Sequence, residues 1–190
     1  WVGGYNAQTV WKLNPETGAV METVNLGVSP HGMVVAGDGT LYVGTLGEGR
    51  LQSVNTMTNG AGPVIENPGG LRNGESGSYG IAIDLYGRIW MGGWTSQDAI
   101  AYDPRDTSWC RMVLPFDLTI GRGITMDVEG RMWAAVGADE QSHVAYWHVD
   151  DCRGGQSVAV PEEQLVALPA GIQGPTAVGS DSQGHIWVMH

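Results

Sequence analysis

One motif, written four times, limits the folds open to this chain. Residues 33–44, 81–92, 124–135 and 177–188 each read as a short apolar strand, a turn with Gly three places before an aromatic, and a second strand carrying that aromatic. The chain also opens on it: Trp1-Val2-Gly3-Gly4-Tyr5 matches Trp90-Met91-Gly92-Gly93-Trp94. The aromatics Trp1, Tyr42, Trp90, Trp133 and Trp187 are spaced by 41, 48, 43 and 54 residues. Periods of about 40–50 residues mark four-stranded propeller blades, and the long last step predicts an insertion.

The remainder of each repeat agrees. Thirteen residues after the aromatic stand Asn14, Asn55 and Asp103, each closing a third strand and opening a turn sequence such as Asn14-Pro15-Glu16-Thr17-Gly18. Fourth strands follow over residues 19–26 and 109–114. No sustained 3.6-residue periodicity is present, so the expected fold is all-β. The expected architecture is four consecutive four-stranded blades in a single unit over residues 1–190. One blade alone buries little, and a continuous core forms only by stacking around an axis. The recurring aromatic is therefore assigned to the gap between adjacent blades. Three ring states are open: part of a six- to eight-blade ring, closure with a copy or another chain, or a ring of four. Residues 60–77, rich in Gly, Asn and Pro, read as a loop, and residues 164–174 as the long connection behind the last step.

Composition narrows partners more than function. A net charge of −11 repels phosphate backbones, which argues against nucleic acid. No apolar run approaches the roughly 18 residues of a transmembrane segment. The chain starts without an initiator Met and reads as processed, truncated or proteolysed. Two cysteines, Cys110 and Cys152, fit either one disulfide in a secreted, periplasmic or cell-surface protein or two free thiols. Asp84, Asp127 and Asp181 each open an Asp-x-x-Gly turn, which side-chain capping explains without calcium. Gly77-Ser78-Tyr79-Gly80 lacks the strand–turn–helix setting of a nucleophile elbow.

Comparing repeats with one another isolates the variable positions. Eleven places before the aromatic stand His31, Tyr79, Arg122 and Thr176; three and six places after it stand Thr45, Glu48, Asp139 and His190. These eight form a candidate ligand-binding rim at one mouth of the central channel, able to bind a polar ligand or supply acid–base groups. His31 with Glu48 is too small a set to define a metal site, and the metal is left unknown. His143 and His148, flanking Tyr146-Trp147, read as solvated.

The segments Ser29-Pro30-His31-Gly32-Met33, Gly80-Ile81-Ala82-Ile83-Asp84 and Gly121-Arg122-Gly123-Ile124-Thr125-Met126-Asp127, with their turn glycines and aromatics, resemble the virginiamycin B lyase family of streptogramin-inactivating propellers. The related NHL-repeat and gluconolactonase-like propellers share the pattern. The resemblance covers essentially the whole chain. It implies a seven-bladed, Mg-dependent carbon–oxygen lyase using a His, a Glu fourteen residues on and a second His three further. His31 takes the first place, but Thr45 and Glu48 stand where Glu and His are required. No blade here carries the full set. The expectation is thus a non-catalytic extracellular or cell-surface module binding a small molecule or protein at the channel mouth. The alternative is a lyase whose catalytic residues, with His31 as a weak candidate, lie mostly in other blades.

Overall fold

The computed structural model describes residues 1–45, 49–68, 76–138 and 141–190. Among the described residues the regular structure is strand apart from two short 3-10 turns, at Val149–Asp151 and Glu162–Gln164. Strands β1 (Val2–Gly4), β2 (Thr9–Leu13) and β3 (Val20–Asn25) make a first sheet. Strands β4 (Pro30–Val35), β5 (Thr40–Thr45), β6 (Leu51–Asn55) and β7 (Gly60–Ile65) make a second. The third holds β8 (Ser76–Ile83), β9 (Ile89–Trp94), β10 (Asp98–Asp103) and β11 (Ser108–Val113). The fourth holds β12 (Thr119–Met126), β13 (Arg131–Ala138), β14 (Gln141–His148) and β16 (Leu165–Ala167), and β17 (Ala177–Ser180) pairs with β18 (Ile186–Met189) in the last. The repeats thus appear as three complete blades between a three-stranded and a two-stranded sheet. The anchoring aromatic sits on the second strand of a blade, so repeat and sheet are out of phase.

Side chains alternate along each second strand, and in β5 and β9 both faces are buried. In β9, Ile89 and Met91 pack toward the second sheet with Tyr42, Leu51, Ile100 and Tyr102. Trp90 points the other way, into a cluster with Met132, Val136 and Trp147 of the fourth sheet. In β5, Leu41 and Val43 face the first sheet beside Val10 and Trp1, while Tyr42 faces the third. Trp1, Tyr42 and Trp90 therefore pack against the following sheet, as the repeat predicts, whereas Trp187 is exposed. Fully burying a side chain of this class stabilises by about 1.5–3 kcal/mol.

Three of the strand-one to strand-two turns share one construction. Asp84 Oδ1 accepts the backbone N–H groups of Tyr86 and Arg88, while its Oδ2 accepts Trp90 Nε1–H at 2.8 Å and Arg88 Nε–H at 2.6 Å. Asp127 repeats this with Glu129, Arg131 and Trp133. Asp181 repeats it with Gln183, His185 and Trp187. One carboxylate thus caps its turn and also orients the blade aromatic.

Three segments depart from the sequence expectation, one of them residues 164–174, where Leu165–Ala167 is strand β16 paired with β14. Residues 60–65 are not loop: Gly60–Ile65 is the fourth strand of its blade, paired with β6. Within the long last step, β15 (Ser157–Ala159) leaves the fourth sheet and pairs parallel to β11, giving the third sheet a fifth strand. Cys152, at the root of this strap, is bonded to Cys110 of β11. Arg88 reinforces the crossing by donating to the carbonyls of Val149, at 2.5 Å, and Cys152. Tyr86 Oη donates to Asp150 at 2.7 Å.

Candidate functional site

Residues near the start of successive inner strands come together. His31 is the second residue of β4, Tyr79 and Arg122 are each the fourth of β8 and β12, and Thr176 immediately precedes β17. The His31 ring lies 4.1 Å from the Tyr79 ring, centroid to centroid, tilted by 59°. The Arg122 guanidinium carbon lies 5.3 Å from the same Tyr79 centroid. Arg122 N–H donates to the Thr176 carbonyl at 2.9 Å. Four blades thus contribute a continuous row of imidazole, phenol, guanidinium and hydroxyl groups. Its spacing suits cation–π attraction across Tyr79.

Glycines set that spacing. The residue after each of the first three rim positions is Gly32, Gly80 and Gly123. A Cβ on Gly80 would lie 2.6 Å from the Arg122 carbonyl oxygen, and one on Gly123 would lie 2.5 Å from the Ala177 Cα. Neighbouring inner strands approach this closely only without a side chain. The signal was present in the sequence as a rim residue followed by Gly in three repeats. Sequence reasoning assigned these glycines to the family pattern and missed their part in building the site.

Electrostatics within the row are uneven. Partial burial, with the Arg122 charge adding to it, holds the His31 pKa below its ordinary value; a hydrogen bond with the Tyr79 backbone opposes the shift. Burial and the Arg122 charge thus favour the neutral imidazole, and Arg122 is the cation of the row.

The other expected rim residues fall differently. Thr45 is 4% exposed and tied through its N–H and hydroxyl to the Arg50 carbonyl, so it does not face the mouth. His190, following β18, is exposed. Glu48 and Asp139 lie outside the described residues. Among the described residues no three His, Cys, Asp or Glu side chains gather as metal ligands. The position at which the resemblance implies a Glu holds the buried Thr45 hydroxyl, so the described residues do not fit a Mg centre. Ser78 is fully buried within β8, its hydroxyl on Met91 Sδ at 2.9 Å, which rules it out as an exposed nucleophile.

The fold has counterparts among solved structures. The chain aligns over 95% of its length with hydrazine synthase of Kuenenia stuttgartiensis, at TM-score 0.73 and 16% identity, spanning 48% of that chain. It aligns over 97% with a streptogramin B lyase, at TM-score 0.71 and 16% identity, spanning 56% of that chain. A catalytically inactive virginiamycin B lyase from Staphylococcus aureus, solved with quinupristin, gives TM-score 0.69 and 11% identity over 97% of this chain and 57% of that one. The chain thus spans about half the length of these structures, and the likeness establishes a lyase-like propeller fold. No protein-family model and no curated protein sequence matches.

Proposed function

We propose that this chain is part of an exported propeller that binds a ligand or protein partner at its channel mouth, with further blades or another chain completing the ring. The observation that carries this reading is the row His31–Tyr79–Arg122, held at stacking distance by three inner-strand glycines. A cation behind an aromatic plate, beside a neutral imidazole, favours a planar or π-bearing ligand with negative charge. Thr176 and His190 extend the row toward the last sheet. The Cys110–Cys152 disulfide supports an oxidising compartment. The net charge of −11 disfavours nucleic acid. Among the described residues no helix is long and apolar enough to cross a membrane. The lyase alternative draws on the family resemblance; the departure at Thr45 weighs against a complete catalytic set in this chain.

The test is saturation-transfer NMR with benzoate and 4-hydroxybenzoate on the 190-residue chain. The expected result is transfer to both ligands, lost in Arg122→Gln and reduced in Tyr79→Ala. Equal transfer in the native chain and both variants contradicts the reading, as does no transfer at all.

A further inference from the structure

The turn between β9 and β10 holds one residue in a strained backbone conformation. Thr95 has φ 63°. A β-branched residue in the left-handed region is unfavourable and persists only where its surroundings impose it. Here they do. Thr95 N–H donates to the Ile120 carbonyl at 3.0 Å, and Ile120 N–H donates to the Ser96 carbonyl at 2.7 Å. The Ser96 hydroxyl is fully buried and donates to Asp98 Oδ1 at 2.6 Å. Asp98 is fully buried too, and its Oδ2 pairs with Arg111 of β11.

A buried ion pair costs desolvation and is a poor source of stability. Nor is this network part of general blade construction. At the places of Ser96 and Asp98 the other repeats read Ala7 and Thr9, Glu48 and Arg50, and Asp139 and Gln141. What the network does is fix the turn that carries Thr95.

Thr95 is exposed, and its hydroxyl has no hydrogen-bond partner among the described residues. It stands on the wall of a cavity of about 430 Å³, with Thr119, Arg122, Gly137, Gln173 and Thr176. That volume lies in the range of small-molecule sites. The Thr119 hydroxyl donates to the Gly137 carbonyl at 3.0 Å and the Thr176 hydroxyl to the Met189 carbonyl at 3.4 Å, so both keep lone pairs for an incoming donor. Gln173 is exposed and adds an amide. Glycines let the segment around Pro175 close the cavity: a Cβ on Gly121 would lie 2.4 Å from the Pro175 carbonyl oxygen, and one on Gly137 3.3 Å from Pro175 Cδ. In a chain of net charge −11, Arg122 is the one charged residue on these walls among the described residues. His143, read as solvated from the sequence, is buried at Nδ1 and lies outside them.

We propose that this cavity binds a small polyhydroxy carboxylate. Its carboxylate meets Arg122, one hydroxyl pairs with Thr95, and others donate to Thr119 and Thr176. Arg122 reads the charge and Thr95 the hydroxyl. The inference rests on the channel-mouth reading, because Arg122 belongs to both.

The probes are tartrate, succinate and threitol, titrated separately against the 190-residue chain and followed by the backbone amide shifts of Thr95, Gly121 and Gly137. Tartrate, with charge and hydroxyls, binds most tightly. Succinate, without the hydroxyls, binds at least about fivefold more weakly, the size of one neutral hydrogen bond. Threitol, without the charge, binds at least about tenfold more weakly, the size of a charge-assisted contact. Thr95→Val keeps the shape and removes the hydroxyl; it brings tartrate to the succinate level and leaves succinate unchanged. Arg122→Gln removes the advantage of tartrate over threitol. Thr95→Gly relieves the backbone, loses the same selectivity, and unfolds at no lower urea concentration than the native chain. Equal binding of tartrate to either of the other two probes, or tartrate undiminished in Thr95→Val, overturns the proposal. A lower urea midpoint for Thr95→Gly assigns the turn to stability and overturns it as well. If neither acid binds while benzoate still reports on Arg122, the cavity proposal falls alone; if benzoate fails too, the channel-mouth reading falls with it.

Discussion

Trp90 and Trp187 sit in the same turn and in different worlds. Each donates its indole N–H to the turn aspartate, Asp84 or Asp181, which also caps two backbone N–H groups. Yet Trp90 is fully buried against the fourth sheet, whereas Trp187 is 67% exposed and its neighbour Met189 62% exposed. The turn is a local device: it forms wherever Asp-x-x-Gly-x-x-Trp occurs, with or without a following blade. Burial is not local. Trp133, with two strands of the last sheet beside it, is 8% exposed, and Trp187 has no such cover. The aromatic is aimed by its own hairpin and becomes a core residue only when another blade packs on it.

Truncating the two tryptophans sharpens this contrast most. Trp90→Ala removes the centre of the cluster containing Met132 and Trp147 and is expected to cost about 3–5 kcal/mol. Trp187→Ala removes little burial and is expected to stay within about 0.5 kcal/mol. Urea unfolding of both variants checks this; equal costs would mean that hairpin chemistry, not blade packing, sets the value of the aromatic.

A smaller effect is expected at the crossing between the third and fourth sheets. The Cys110–Cys152 bond closes a sequence separation of 42 residues. Replacing both by Ala is expected to cost about 2–4 kcal/mol. Arg88 then remains as the clamp, still donating to the carbonyls of Val149 and Cys152. A lower urea midpoint, with a steeper slope because the unfolded chain is no longer cross-linked, is the expected signature. No shift would show that β15 and Arg88 hold the strap without the covalent link.

The repeat made the blades legible because periodicity, turn residues and aromatic spacing agreed with one another. The Asp turns were legible for the same reason. The β7 strand was not. Gly60, Gly62 and Pro63 read as loop, but β6 supplies a ladder partner, and the Ser53 hydroxyl fills the space a Gly62 side chain would need. Tertiary pairing overrode composition there. The β15 crossing was also hidden, since three residues pairing parallel to a different sheet leave no periodic trace. The disulfide stayed open in the sequence because bonding requires Cα atoms within about 7 Å; the strap brings them to 5.7 Å. At the proposed site, counting from the aromatic picked out His31, Tyr79 and Arg122, whose side chains the structure brings together. It misplaced Thr45, because the same count cannot tell an outward loop position from one turned into its own hairpin.

Native-state hydrogen exchange, at concentrations where the chain is monomeric, tests the central claim most directly. Amides of β9, β10 and β13, buried between sheets on both faces, are expected to exchange only through global unfolding. Those of β18, packed on one face, are expected to exchange through local opening at far lower free energy. Protection of β18 equal to that of β9 would contradict the account, since a hairpin and its aspartate turn would then be stable without a neighbour on the Trp187 side.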